Sequence, residues 1–179
     1  NRLDAEKLAV TLRGGQLPGI QVPSAPYRQL RHLTQLRDTF VQQSRATQCR
    51  IKALLLFEGI PFPGSQWSQV TIAQLERLPG AEAVRFKMSR LVQTLRFAQQ
   101  QVRETTREIR RFCQADAELT RCLGYVMSIP GIGWATGTQV LARIGDWRQL
   151  RHVRQLAAFL GLVASERSTG DTIRRGAIT

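Results

Sequence analysis

A serine near the carboxyl end of the chain is placed either for catalysis or for a simple turn. Ser168 is followed by Thr169 and Gly170. Three arginines flank the same segment: Arg167, Arg174 and Arg175. A serine hydroxyl becomes a nucleophile only with a base, a metal ion or strong polarisation of its target. Arginines would offset negative charge that builds on an attacked phosphate. The residues alone favour the simpler role, in which Ser168 and Thr169 cap a turn.

The tetrapeptide Pro-Gly-Ile-Gly at 130–133 is a second candidate site, because it lies between two apolar helical runs. Proline prevents the preceding residue from continuing a helix, and glycine allows positive φ and close approach of another molecule. The pattern predicts two short helices joined by a tight hairpin, with Ile129 and Leu141 turned inward. The amides of Gly131, Ile132 and Gly133 would then be open to an anion. An ordinary helix–helix corner explains the same residues equally well.

The cysteines and histidines predict neither a zinc site nor a disulfide framework. Cys49, Cys113 and Cys122 are odd in number and have no Cys-x-x-Cys spacing. His32 and His152 are isolated and are expected to be surface or packing residues. Free thiols fit a reducing compartment, and the bacterial cytoplasm is the expected location.

The net charge indicates a polyanionic partner. The 179 residues include 26 Lys and Arg against 13 Asp and Glu, which gives a net charge of +13. All but three of the basic residues are arginine, whose planar guanidinium binds phosphate oxygens in pairs. Nucleic acid is the expected partner, although an acidic membrane surface or a protein would also attract this charge. No apolar run approaches the length needed to span a membrane.

The pattern of apolar residues predicts a mainly α-helical protein. Helices are expected over 1–15, about 24–58, 68–78 and 151–159, with a tip loop at 59–80. A second long helix carries apolar residues at alternating spacings of four and three, typical of a coiled coil: Val84, Met88, Leu91, Leu95, Ala98, Val102, Thr105, Ile109 and Phe112. The first long helix carries a matching stripe that includes Leu30 and Leu36.

These elements suggest a long antiparallel coiled-coil hairpin, followed by a small helical domain with a helix-hairpin-helix motif. The seam would close within one chain or between two chains. Its basic exterior favours a nucleic-acid track. Residues 166–176 are predicted to form an exposed polar loop.

Four motifs in the last fifty residues resemble the carboxyl-terminal domain of bacterial insertion-sequence transposases. They are "PGIG" at 130–133, "AAFLGL" at 157–162, "STG" at 168–170 and "RRGAIT" at 174–179, in the family's order. These transposases carry an amino-terminal RuvC-like DEDD domain and are related to site-specific DNA invertases. Each motif is weak alone, but the four together are specific.

The amino-terminal residues resemble the end of that DEDD domain. Asp4, before Ala5, matches the family's final aspartate, although the residue type alone is that of an ordinary helix N-cap. Asn1 stands where the family has another aspartate, and an amide oxygen is a weaker Mg²⁺ ligand than a carboxylate. The resemblance implies the end of the DEDD domain and a linker at 1–23, a coiled coil at 24–122 and a truncated transposase domain at 123–179.

The resemblance implies an RNA-guided DNA recombinase, of which this chain is a fragment expected to be inactive alone. Ser168 matches the family's nucleophile, with Thr169 as the fallback and Ser165 as a third candidate. Asp4 would be a catalytic Mg²⁺ ligand in the full-length protein. The implied partners are DNA, a structured noncoding guide RNA and further copies of the chain in a dimer or tetramer. Gly131, Ile132, Gly133, Arg167, Arg174 and Arg175 would bind nucleic acid. The alternative is a non-catalytic basic coiled-coil module that binds nucleic acid and oligomerises.

Overall fold

A computed structural model of the chain describes residues 2–16, 22–150, 152–166 and 175–178. The described part is mainly α-helical, as predicted. Its elements are α1 (Arg2–Arg13), α2 (Ala25–Phe57), α3 (Gln69–Glu76), α4 (Glu82–Ala115), α5 (Ala117–Met127), α6 (Trp134–Ile144), a 3₁₀ turn (Trp147–Gln149), α7 (Val153–Phe159), β1 (Ala164–Glu166) and β2 (Arg175–Ile178). No helix among the described residues is both long and apolar enough to cross a membrane.

Local capping fixes several helix ends. The Ser68 hydroxyl accepts a hydrogen bond from the Thr71 amide at 3.1 Å, which starts α3. The Asp116 carboxylate accepts bonds from the amides of Glu118 and Leu119, so the chain ends α4 and begins α5 within two residues. At the carboxyl end of α2, Gly59 adopts a φ of +66°. This left-handed conformation commonly terminates helices and favours glycine.

The two long helices pack antiparallel, as the sequence predicted. The start of α2 contacts the end of α4, where Arg37 Nε donates to Thr106 Oγ1 at 3.0 Å. Further along, the rings of Phe40 and Phe97 meet edge to face at 6.2 Å. At a rise of 1.5 Å per residue, each helix is about 50 Å long. The hairpin therefore closes within one chain.

The core consists of two apolar clusters, one at each end of the hairpin. The tip cluster joins α2 and α4 to α3, and includes Ile51, Ile72, Leu75, Val92 and Leu95. The base cluster joins α2 and α4 to α5 and α6, and includes Leu30, Ile109, Leu119, Leu123 and Leu141. Between the clusters, the buried residues are small or polar: Thr47, Ala98 and Thr105.

The buried stripes differ in part from the predicted seam. Leu36 keeps 47 % of its surface exposed, whereas Thr34 is buried. On α4, Val92 and Cys113 are buried, and the predicted Leu91 and Phe112 are only half-buried. A straight α-helix rotates by about 20° per heptad relative to a seven-residue repeat, so one fixed seam drifts off the contact line over four repeats. Packing of α3 and α5 on opposite ends of α4 adds further buried faces.

Two short strands correct the loop prediction at residues 166, 175 and 176, whereas 167–174 lie outside the described residues. Glu166 ends β1, whereas Arg175 and Gly176 begin β2, and the strands pair antiparallel with Ala164 opposite Ile178 and Glu166 opposite Arg175. The pairing joins residues that are distant in sequence, and local polar composition gives no sign of it.

Candidate nucleic-acid interface and catalytic segment

The predicted hairpin between α5 and α6 is present at residues 128–133. Gly131 has a φ of +87°, which an L-residue with a side chain rarely adopts. The turn is closed by the Ile132 amide, which donates to the Ile129 carbonyl at 3.1 Å. Leu141 is buried as expected, but Ile129 is 53 % exposed, because it lies in the turn beyond the end of α5.

A glycine on α6 lets the two helices approach closely. A Cβ at Gly137 would lie 3.1 Å from Cδ1 of Leu123 and 3.3 Å from Cγ of Met127, both on α5. The absence of a side chain at this position therefore sets the spacing of the helix pair. The turn is held in place by the rigid base of the long hairpin, against which α5 and α6 pack.

The first turn of α6 presents backbone amides with no capping side chain. Gly133 is the N-cap residue, and no side chain accepts a hydrogen bond there. Its φ of −82° is open to any residue, and a Cβ at this position would meet nothing within 4 Å. No contact within the described chain therefore requires glycine at 133. Free amides at a helix N-terminus favour an anion, and a missing side chain allows it to approach.

An arginine of the predicted basic track and a tryptophan border this helix start. The Arg110 guanidinium of α4 lies 5.0 Å from the ring centre of Trp134, the first residue of α6. The two residues are far apart in sequence, so only packing of α4 against the α5–α6 pair brings them together. An arginine held flat on an aromatic ring keeps its donors available to a phosphate.

The predicted nucleophile falls between the two strands. Ser168, Thr169, Arg167 and Arg174 lie outside the described residues. The described flanks are adjacent, since Glu166 at the end of β1 is opposite Arg175 at the start of β2. Segment 167–174 therefore leaves and rejoins one two-stranded ribbon. Ser165, the third candidate, lies within β1.

Asp4 lies near the start of α1. It is exposed in the first turn of α1, rather than at the predicted N-cap position, and α1 buries none of its residues. The described residues contain no group of three or more His, Cys, Asp or Glu side chains able to hold a metal ion. Within them, Asp4 can supply one carboxylate ligand to Mg²⁺ but does not form a complete site.

Two acidic residues near the base of the molecule, Glu118 and Asp146, form ion pairs with arginines. Glu118 of α5 accepts a hydrogen bond from Arg148 Nη2 at 2.6 Å and also pairs with Arg121. Burial opposes the ionisation of Glu118, but the hydrogen bonds from Arg148 and Cys122 and the arginine charges outweigh it and lower the pKa of the carboxyl. In contrast, residues 39–57 and 83–103 of the long helices contain no Asp or Glu. Arg96 pairs with Glu76 of α3, but the other basic residues of these two stretches form no ion pair in the described part of the chain.

Two family models match the ends of the chain. Residues 124–179 match the family described as "Transposase IS116/IS110/IS902 family", and residues 2–58 match a DEDD transposase family of the IS110 type. The first match contains the turn between α5 and α6, the whole of α6, both strands and Ser168. Each match covers about a third of the chain. The second match extends through α1 and over the whole of α2.

Three transposases are similar to this chain along almost its whole length. A putative transposase of Sinorhizobium fredii is 28% identical over 181 residues, which cover 100% of this chain and 43% of the relative. The transposase for insertion sequence element IS1111A of Coxiella burnetii is 26% identical over 96% of this chain and 47% of the relative. A probable family 20 transposase of Pseudomonas aeruginosa is 27% identical over 98% of this chain and 52% of the relative. The chain thus spans about half the length of these relatives.

Proposed function

We propose that this chain is the coiled-coil and carboxyl-terminal part of an insertion-sequence transposase that binds nucleic acid through the α5–α6 hairpin. The observation that carries the proposal is the open first turn of α6, at Gly133, within the segment that matches the transposase family. The Gly131 and Gly133 amides would contact a phosphate of the backbone, as in helix-hairpin-helix modules. The Ile132 amide, which was also predicted to be open, donates within the turn instead. Arg110 beside Trp134 would add a second phosphate contact.

The domain boundaries of the proposal follow the sequence analysis. Residues 1–23 would be the end of a RuvC-like DEDD domain and its linker, 24–122 the coiled coil and 123–179 the transposase domain. The helical hairpin would then separate two catalytic parts and position one relative to the other.

In the full-length protein, Ser168 would act as the nucleophile on a DNA phosphodiester. Its Oγ would form a bond to phosphorus while the bond to one sugar oxygen breaks; the hydroxyl proton passes to a base and the leaving oxygen gains a proton. Arg167, Arg174 and Arg175 would offset charge on the phosphate oxygens. The ribbon of β1 and β2 supports this assignment, because it anchors both ends of the serine segment at one place.

The Mg²⁺ requirement of a DEDD domain would be met only partly by this chain. Asp4 would supply one carboxylate, and the other ligands would come from parts of a longer protein. When bound, Mg²⁺ would polarise the phosphate. Asp4 itself would bind and orient the ion, because its exposed position on α1 leaves the carboxylate accessible.

The proposed partners are DNA, a structured noncoding guide RNA and further copies of the chain, in a dimer or tetramer within the bacterial cytoplasm. The net charge of +13 and the acid-free arms of the hairpin support nucleic acid as the partner. Sequence specificity would come from base pairing by the guide, whereas the protein contacts backbone and shape.

The catalytic assignment is tested with Ser168→Ala in a longer protein that contains this chain. Strand cleavage of a DNA substrate should disappear, and DNA affinity should stay within about twofold, because the change removes one hydroxyl and no charge. Thr169→Ala and Ser165→Ala serve as matched controls and should retain cleavage. Undiminished cleavage by the Ser168 variant would refute the serine mechanism.

The interface is tested with Gly133→Ser, which places a capping hydroxyl on the open amides of α6. Serine is a preferred N-cap residue, so the helix should be at least as stable, while the anion site is filled from within. We expect weaker binding of duplex DNA with no loss of thermal stability. Unchanged affinity would show that this helix start does not contact nucleic acid.

A second candidate function is a non-catalytic module that binds nucleic acid and oligomerises. The absence of acidic residues from 39–57 and 83–103 favours it, since that feature needs no active site. The Ser168→Ala experiment separates the two functions: a binding module predicts unchanged behaviour of this variant in every assay.

A further inference from the structure

A polar groove lies between the two long helices, away from the α5–α6 hairpin. Its volume is about 470 Å³. Its lining includes polar and aromatic side chains from α2, α4 and the segment at the start of α3: Ser44, Arg45, Gln48, Trp67, Gln69, Gln99 and Arg103. No carboxylate is among its lining residues.

Small side chains at the middle of the hairpin explain why a groove forms there. Thr47, Ala98 and Thr105 occupy the buried positions between the two apolar clusters. The hydroxyls of Thr47 and Thr105 donate to carbonyls of their own helices, at 2.8 and 2.7 Å. The two threonine hydroxyls are therefore already hydrogen-bonded within their own helices and do not need partners from the groove.

The two arginines of the groove have no acidic partner in the described part of the chain. Arg45 lies in the acid-free stretch 39–57, and Arg103 ends the acid-free stretch 83–103. Glu104 follows Arg103, but its carboxylate accepts hydrogen bonds from Gln100 and Gln101 of its own helix. Two guanidinium groups at one groove thus lack a counter-ion, which favours a bound anion.

The remaining groups suit a nucleobase. The amides of Gln48, Gln69 and Gln99 both donate and accept hydrogen bonds, as the edges of bases do. Trp67 forms an aromatic wall, and its ring is held by Phe62 at 4.8 Å between ring centres. Lys52 Nζ lies 6.0 Å from the same ring and adds a third positive charge nearby.

We propose that this groove binds an unpaired nucleotide of a single-stranded nucleic acid. Arg45 and Arg103 would hold its phosphate, and the glutamine amides would contact the base edge beside Trp67. The inference rests on the proposed nucleic-acid function but concerns a different surface from the α6 N-terminus. An unpaired nucleotide fits better than a duplex, because a groove between two helices admits one strand with its base exposed.

The test compares two double variants of the 179-residue chain that remove the same charge. Arg45→Gln with Arg103→Gln alters the groove, and Arg50→Gln with Arg85→Gln alters exposed arginines of the same two helices outside it. The probes are an unstructured oligouridine and a DNA duplex, each titrated at several salt concentrations. Thermal melting followed by circular dichroism confirms that both variants are folded.

The groove variant should bind oligouridine at least about tenfold more weakly, since each lost arginine removes a charge-assisted hydrogen bond. The slope of log affinity against log salt should fall by about 0.7, because the contact to one phosphate of a single strand is lost. The control variant should lose less than about threefold. Equal losses by the two variants, or a loss confined to the duplex, would overturn the groove proposal.

Failure of the groove proposal is distinguishable from failure of the proposed function. A wild-type chain that binds neither probe would contradict nucleic-acid binding as a whole, whereas a wild-type chain that binds both with no groove effect would contradict only the groove. A second readout is Trp67 fluorescence in a Trp134→Phe, Trp147→Phe background. Oligouridine should quench it, and unchanged emission at saturation would argue against a base beside Trp67.

Discussion

The three cysteines have the same chemistry but very different surroundings. Cys113 is 3 % exposed, and burial, followed by the nearby charge of Asp116, raises the pKa of its thiol to about 11. Cys122 is 2 % exposed and packs beside Tyr27, whose phenol pKa is raised by burial and by its hydrogen bond to the Cys122 sulfur. Cys49 is exposed on α2.

One thiol per chain should therefore react rapidly with a disulfide reagent at pH 8. The thiolate is the reactive form, so Cys113 stays protonated well above this pH, and Cys122 is also inaccessible. The chromophore released by the reagent should correspond to one rapidly reacting thiol per chain, and the Cys49→Ser variant should lack this fast phase. Two fast equivalents in the native protein would contradict the burial of the base cluster.

The two glycines of the hairpin are predicted to differ in their effect on stability. Gly131 has a φ of +87°, so Gly131→Ala should cost about 1–2 kcal/mol in the free energy of unfolding. Gly133 has an ordinary φ and open space around it, so Gly133→Ser should cost nothing or stabilise by a few tenths of a kcal/mol. Urea denaturation of both variants measures the difference, and equal losses would mean that residue 133 is also strained.

At the scale of the elements, the long hairpin is held by clusters at its ends rather than by a uniform seam. Leu30 is fully buried against α4 and α5 residues, whereas Leu36, less than two turns further along α2, is 47 % exposed. Both leucines belong to the apolar stripe that the sequence predicted, so the stripe by itself does not show which of them is more deeply buried.

The leucine pair gives a matched test of this packing. Leu30→Ala should lower the free energy of unfolding by about 2–5 kcal/mol, because it opens a cavity in the base cluster. Leu36→Ala deletes the same atoms from a half-exposed site and should cost less than about 1 kcal/mol. Urea denaturation, fitted with one shared dependence of the unfolding free energy on urea concentration, measures both losses. Comparable losses would indicate that Leu36 is buried, as in a regular coiled coil.

At the scale of the whole molecule, an ion-pair network connects α5 to the segment after α6. Arg148, in the 3₁₀ turn, donates a hydrogen bond to Glu118, and its Nη1 lies 4.0 Å from Oδ1 of Asp146. Arg121 pairs with Glu118 on the same helix, α5. The network gathers acidic groups at the base, and leaves the arms of the hairpin positively charged. The positive charge is therefore partly offset at the base, whereas the stretches 39–57 and 83–103 of the arms contain no acidic residue.

This network should make stability depend on acid pH. The pKa of Glu118 is lowered in the folded protein, so its stabilising contribution is present above its unfolded pKa of about 4.3 and is lost as pH falls through the lower folded value. Glu118→Gln should reduce stability at neutral pH and flatten the decline below about pH 5. Urea midpoints measured across this range test the effect.

Glu6→Gln is the matched control, because the Glu6 carboxylate is exposed on α1 and forms no ion pair within the described residues. It should leave the pH profile unchanged. An identical acid profile for Glu118→Gln and the wild-type chain would contradict the network.

The sequence by itself determined the elements that local chemistry encodes. An apolar stripe predicted the first long helix, and heptad spacing predicted the second. Glycine after Glu58 predicted the end of α2, and Pro-Gly-Ile-Gly predicted the turn between α5 and α6. These features depend on neighbours within a few residues, so the periodicity and the turn residues were sufficient. The four motifs near the carboxyl end predicted the transposase family for the same reason, since each lies within one short segment.

Only the tertiary structure decided which surfaces meet. It placed Arg110 on Trp134, left Leu36 exposed, and paired Glu166 with Arg175 where a loop was predicted. It also brought Arg45 and Arg103 to one groove. Each of these depends on contacts between residues distant in sequence, where helix rotation and packing against a third element fix the outcome. Local sequence patterns do not predict those partners, because burial depends on contacts made in the assembled fold.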